Sequence, residues 1–195
     1  MQYFTFLGVG TLPEGYEEAL YSFEDNKEEI HASKYVQSAI IEKFQSDISE
    51  VFVFCTEKSY SLGARNIKNE IKTKFNIDIK FITINEFVKI EEILQKMNEV
   101  LKEDFIIDVT HSFRNIPISV TMISNYLEVS TKKQLKHLFY GNYNRETNEG
   151  LIIDLINQYE NSKIASSLMA FDQFLKISDT YLYNLNDNKI NNLMK

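Results

Sequence analysis

Short apolar runs alternate along this chain with longer segments whose apolar residues recur at helical spacing, and that alternation restricts the fold more than any other feature. "QYFTFL" (2–7) and "EVFVFC" (50–55) are the kind of run that a sheet buries on both faces. "IDIKFITI" (77–84) and "DFIID" (104–108) read as two further strands. Between them, "KYVQSAIIEKF" (34–44) sets Val36, Ile40, Ile41 and Phe44 on one side of a helix. "YSLGARNIKNEIKTKF" (60–75) does the same with Leu62, Ile67, Ile71 and Phe75. "EFVKIEEILQKMNEVL" (86–101) is strongly amphipathic, with Asn85 as its expected N-cap. "IPISVTMISNYLEV" (116–129) reads as a helix that opens on Pro117, a residue tolerated in a first turn.

Two segments fall outside this alternation. "YEEALYSF" and "KEEIHAS" straddle the turn-rich "EDN", which predicts a small hairpin. "KHLFYGNYN" (136–144) and "GLIIDL" (150–155) flank "RETNE" and predict a late β-hairpin or two late strands. From Asn161 the tail is helical, with Leu168, Phe171, Leu175 and Ile177 in "SSLMAFDQFLKI". With 6 glycines and 2 prolines, nothing reads as a long flexible linker. The expected fold is therefore α/β, with a mostly parallel sheet flanked by helices. The expected organisation is one domain over 1–160 and a helical connector over 161–195.

In parallel sheets, ligands sit outside the carboxyl ends of the strands. Three polar clusters follow predicted strands: "GVGT" (8–11), "TEKS" (56–59) and "THSFRN" (110–115). If those strands are parallel, all three share one edge. Composition narrows what could bind there. A net charge of −7 argues against a broad basic surface for long DNA or RNA, which needs many phosphate contacts. A few donors at one helix N-terminus still suffice for a small anion. No apolar run approaches the ~20 residues of a membrane span. The start, "MQYFTFLGVG", lacks the basic region of a signal peptide. A single cysteine, Cys55, cannot form an internal disulfide, and a cytoplasmic location is expected.

Each cluster has a bland and a chemical reading. Gly8 and Gly10 suit a tight turn and close ligand approach, with Val9 and Thr11 beside them, but also suit a plain strand-to-turn step. Neither a dinucleotide fingerprint nor a P-loop is present. Thr56, Glu57, Lys58 and Ser59 precede a helix, so Thr56 or Ser59 either caps it or leaves its free N–H groups to an anion. The third cluster is the richest. Arg114 is a planar cationic fork suited to phosphate. Ser112 and Asn115 are candidate caps, and His111 is a candidate donor or stacking ring. The bland alternative has Asp108 accepting from the loop, His111 in the core and Arg114 paired with Asp108. Metal catalysis has little support: there are 3 histidines, and only Asp108 and His111 are spaced as ligands. Ser112 lies in no GxSxG elbow. Tyr140 and Tyr143 offer faces for bases, or simply the alternation of a core strand.

"FLGVGT", "DVTHSFRNIP" and "YGNYNRETNEGLIIDL" together resemble the CRISPR-associated Rossmann fold (CARF) domains. The nearest branch has a loop reading Asp-x-Thr-His-Gly-Phe-Arg-x-x-Pro. Asp108, Thr110, His111, Phe113, Arg114 and Pro117 match it, while Ser112 replaces the usual glycine. The resemblance covers most of residues 1–178. It implies a Rossmann-like sheet and a homodimer that binds cyclic oligoadenylate, the messenger of type III CRISPR antiviral defence, across its two-fold axis. Cyclic tetra-adenylate is the favoured ring and hexa-adenylate the second. Gly8 to Thr11 and Thr110 to Asn115 would line the pocket, with Thr56 to Ser59 beside them and Tyr140 as a base contact. No cofactor or metal is implied.

CARF proteins usually carry an effector after the sensor. No Arg-x-x-x-x-His ribonuclease motif occurs here, so the expectation is a sensor fragment or a stand-alone protein. A ring nuclease is the second reading. Its reaction uses the ribose 2′-OH as internal nucleophile, with Thr11, Ser112 and Arg114 as candidates for positioning or charge stabilisation. A nucleotide-binding α/β domain with no CRISPR role is the third.

Overall fold

The computed structural model describes residues 1–9, 16–112 and 116–183. In chain order the elements are β1 (Gln2–Leu7), β2 (Ala19–Phe23), β3 (Asn26–Ser33), α1 (Val36–Phe44), β4 (Glu50–Cys55), α2 (Glu57–Phe75), β5 (Ile79–Thr83), α3 (Ile90–Val100), β6 (Phe105–Asp108), α4 (Ile116–Thr131), β7 (Leu135–Asn144), β8 (Glu149–Asp154) and α5 (Ile156–Tyr183). The described strands form one eight-stranded sheet in the order β3-β2-β8-β7-β6-β1-β4-β5. β7, β6, β1, β4 and β5 are mutually parallel, a Rossmann-like core. The β7–β8 and β2–β3 pairs are antiparallel hairpins, and β2 joins β8 in parallel.

Why β1 sits at the centre is plain from its side chains. All six of its residues are buried, so both faces must be covered. One face carries Tyr3, Leu7, Val51, Val53 and Ile106 in a core shared with Ile40 and Ile41 of α1 and Ile67 and Ile71 of α2. The other carries a ladder of rings: Phe4 stacks on Phe52 at 5.1 Å and Phe6 on Phe54 at 5.3 Å. The right-handed rule for parallel crossovers puts α3 and α4 on that second face, because the chain reverses direction across the sheet after β5. α3 and α4 pack on each other.

Three boundaries differ from expectation. α2 starts at Glu57 rather than at residue 60, because Thr56 and Ser59 form a reciprocal capping box. α3 starts at Ile90, not beside Asn85. The Asn85 Oδ1 accepts from the Phe87 backbone N–H at 3.0 Å and closes a turn before the helix. α5 begins at Ile156, earlier than Asn161. The chain divides into two compact units, Met1–Asn157 and Gln158–Lys195. Among the described residues, no helix is long and apolar enough to cross a membrane.

Candidate functional site

Because β1, β4 and β6 run parallel, the turns after Leu7, Cys55 and Asp108 emerge at one edge of the sheet. After β1 the chain crosses beyond β7 and β8 to β2 and returns through α1 to β4, whereas from β6 it passes to β7, so the connections diverge on either side of the β1–β6 pair, where a crevice forms.

Asp108 holds this edge together. It is fully buried. Its Oδ2 accepts from the Thr5 hydroxyl at 2.7 Å and the Tyr3 hydroxyl at 3.3 Å. Its Oδ1 accepts from the Thr110 N–H at 2.9 Å and, through a short bond, from the Thr110 hydroxyl. The Thr110 Oγ1 in turn accepts from the Gly141 N–H at 2.7 Å. A carboxyl group at the end of β6 thus ties its own loop to β1, and Thr110 relays the tie to β7. The polar residues where this buried strand stops first serve each other. Ser112 also acts locally: its hydroxyl and N–H both donate to the Val109 carbonyl, at 2.7 and 3.1 Å.

The loop after β1 meets the loop after β6. A Cβ on Gly8 would stand 3.1 Å from the Tyr16 hydroxyl and 3.4 Å from the His111 Cβ, so any larger residue would press the Tyr16 hydroxyl back by a few tenths of an ångström. The His111 ring leans on Tyr16, centroids 5.1 Å apart, and Tyr16 meets Tyr35 edge-on at 5.3 Å. Gly8, Val9 and His111 form a shared wall with a cleft on each side. The first, about 300 Å³, is lined by Thr56, Lys58, Ser59, Glu86 and the outstanding ring of Phe87. The second, about 520 Å³, is lined by Tyr16, Lys34, Thr110, Ser112, Tyr143 and Arg145.

Most of the described site candidates therefore come together. Gly8, Val9, Thr56, Lys58, Ser59, Thr110, His111 and Ser112 line these two clefts. Glu57 lines a shallower depression beyond Phe87. In the first cluster of α2, the capping reading holds for Thr56 and Ser59, whose hydroxyls are engaged in the box, while Lys58 is exposed. Tyr140 lines neither cleft. In β7, Gly141 and Tyr143 share one face and Tyr140 takes the other, so of these two tyrosines it is Tyr143 that lines the second cleft. Gly10, Thr11, Phe113, Arg114 and Asn115 lie outside the described residues. Sequence reasoning missed Tyr16, Lys34, Phe87 and Arg145, which no motif marks.

Burial lowers the pKa of His111, only partly offset by the nearby Asp108. Burial pushes the Tyr16 hydroxyl well up and the Tyr21 and Tyr35 hydroxyls up to about 12, so all three remain neutral donors at pH 7. The imidazole shift has a sign. In the unfolded chain His111 takes up its proton near the ordinary value of 6.5, whereas the folded protein resists it to lower pH. Stability is then complete above pH 6.5 and falls as pH drops from there toward the folded-state value. A His111→Gln variant should show a flatter stability profile between pH 7.5 and 5 in urea titrations. Identical profiles for the two proteins would contradict this burial.

Among the described residues, no three His, Cys, Asp or Glu side chains gather as metal ligands would. No family model matches the chain, and no curated protein matches its sequence.

Proposed function

We propose that this chain is a type III CRISPR antiviral sensor: a homodimeric domain that binds cyclic oligoadenylate and allosterically controls an effector domain or partner. The observation that carries this reading is the convergence of the loops after β1, β4 and β6 on one sheet edge, with Gly8 and His111 in contact at its centre. Two of these loops, after β1 and β6, carry the resemblance to CARF domains together with the β7–β8 segment. A Rossmann-like sheet presents such an edge to phosphorylated ligands, and the α2 N-terminus with Lys58 favours negative charge there.

A ring with two-fold symmetry is met by a dimer with the same symmetry. α4, which follows the third loop, leaves Met122, Tyr126 and Val129 exposed along one face at spacings of four and three residues. That stripe is a surface a second copy would cover. Cyclic tetra-adenylate is the favoured ring, hexa-adenylate the second, and a cytoplasmic setting follows from the messenger.

Incubating the protein with each synthetic ring and separating the products tests the reading. A bound and intact ring is the expected result. Linear adenylates ending in a cyclic phosphate would make the chain a ring nuclease instead. Binding of mononucleotides without any ring would leave only a nucleotide-binding α/β domain.

A further inference from the structure

We infer that the larger cleft, where the joined β2–β3 and β7–β8 hairpins meet the loops after β1 and β6, is a nucleotide subsite, with Lys34 and Arg145 on a phosphate and Tyr143 against the base. The inference rests on the proposed function for the identity of the ligand, but the cleft has its own chemistry.

Charge is the first observation. Many lysines of this acidic chain are paired: Lys43 with Asp25, Lys72 with Asp78, Lys80 with Glu50 and Lys136 with Asp104. Lys34 and Arg145 line the cleft, are exposed and make no ion pair among the described residues. They come from distant parts of the chain, Lys34 just after β3 and Arg145 just after β7, and the fold brings them to one cavity. Glu17 is the carboxylate in the same lining, which leaves two cations to one anion. The site attracts an anion while keeping one acceptor for an amine or hydroxyl.

The second observation is a preset aromatic wall. The Tyr143 hydroxyl donates to Asn148 Oδ1 at 2.7 Å, and Asn148 Nδ2 donates to the Glu18 carbonyl at 2.7 Å. Asn148 occupies the left-handed region at φ 57°, which asparagine tolerates better than most residues. The tyrosine ring is therefore held before any ligand arrives, which lowers the ordering cost of binding. The Tyr21 ring lies over the bare backbone of Gly150 and adds a second wall, and the missing side chain of Gly141 leaves the floor to Thr110. At about 520 Å³ the cavity falls within the ~300–1,000 Å³ usual for small-molecule sites. Cations, an acceptor and rigid phenol faces around such a volume are the chemistry of a nucleoside phosphate. Thr110 and His111 also line it, so a nucleotide there is continuous with the central wall of the rim.

Calorimetry with the full chain, using cyclic tetra-adenylate and, separately, adenosine 5′-monophosphate, tests the subsite. Lys34→Gln/Arg145→Gln should weaken ring binding ~100-fold or more and make its salt dependence shallower, since two phosphate contacts are lost. Tyr143→Leu should weaken it ~10-fold through lost stacking. Lys34 and Arg145 are exposed and make no ion pair among the described residues, so the double variant's melting curve should match the parent, whereas Tyr143→Leu also gives up the bond to Asn148 and should melt slightly lower. If the parent binds the ring and the double variant binds it equally well, the subsite is overturned and the sensor reading stands. If the parent binds no ring but binds the monophosphate in a Lys34- and Arg145-dependent way, the subsite stands and the sensor reading falls. Binding of neither ligand overturns both.

Discussion

Asp108→Ala will destabilise the protein by about 3–5 kcal/mol, because it strips the shared acceptor from four buried or half-buried donors at the end of β6. The residue is wholly buried, and its two oxygens receive the hydroxyls of Tyr3, Thr5 and Thr110 and the N–H of Thr110. Hydroxyls can turn toward other acceptors, but the Thr110 N–H cannot, so part of the cost is unavoidable. Asp108→Asn should lose roughly half as much: its amide oxygen can keep the Thr110 N–H while its NH₂ donates to the Thr5 hydroxyl. The Tyr3 hydroxyl is then the group left short. Urea titrations of the three proteins give the numbers, and an alanine variant within ~0.5 kcal/mol of the parent would remove Asp108 from its role as anchor.

Gly150→Val should cost about 2–3 kcal/mol by overpacking. Gly150 lies in β8, with Tyr21 of β2 and Tyr143 of β7 at its two flanking register positions. A Cβ there would stand 2.3–2.5 Å from ring carbons of Tyr21, a distance that atoms do not tolerate. Tyr21 is itself buried, and its ring can give way only toward the cleft it lines, at the expense of its packing. The cross-check is a double-mutant cycle. In a Tyr21→Ala background the obstacle is gone, and Gly150→Val should lose its penalty and become neutral or mildly stabilising, since glycine is a poor strand residue. An equal penalty in both backgrounds would show that the ring is not the cause.

How far these positions could be read from the sequence depends on whether their neighbours are local. β1 and β4 announce themselves because strands buried on both faces must be apolar throughout. The shared edge follows from parallel order alone, which the βαβ spacing implies. Asn85 misled because an N-cap and an isolated turn use the same side-chain acceptor, and only the start of α3 at Ile90 separates them. Tyr140 and Tyr143 could not be told apart for a related reason. Alternation says that residues 140 and 143 face opposite ways, but the face that meets the cleft is set by the register of β7 against β6 and β8. Tyr16 and Lys34 were beyond reach because β2 pairs with β8, a parallel contact over more than 120 residues that no local pattern encodes.

The central claim, that turns gathered at one rim hold a symmetric cyclic oligoadenylate between two copies of this chain, is tested most directly by calorimetric titration with rings of three, four and six adenylates. Tetra-adenylate should bind tightest at one ring per two chains. At ~100-fold excess over its dissociation constant it should raise the melting temperature by roughly 5–10 °C. A protein that takes up none of the three rings, or binds one ring per monomeric chain, would contradict it.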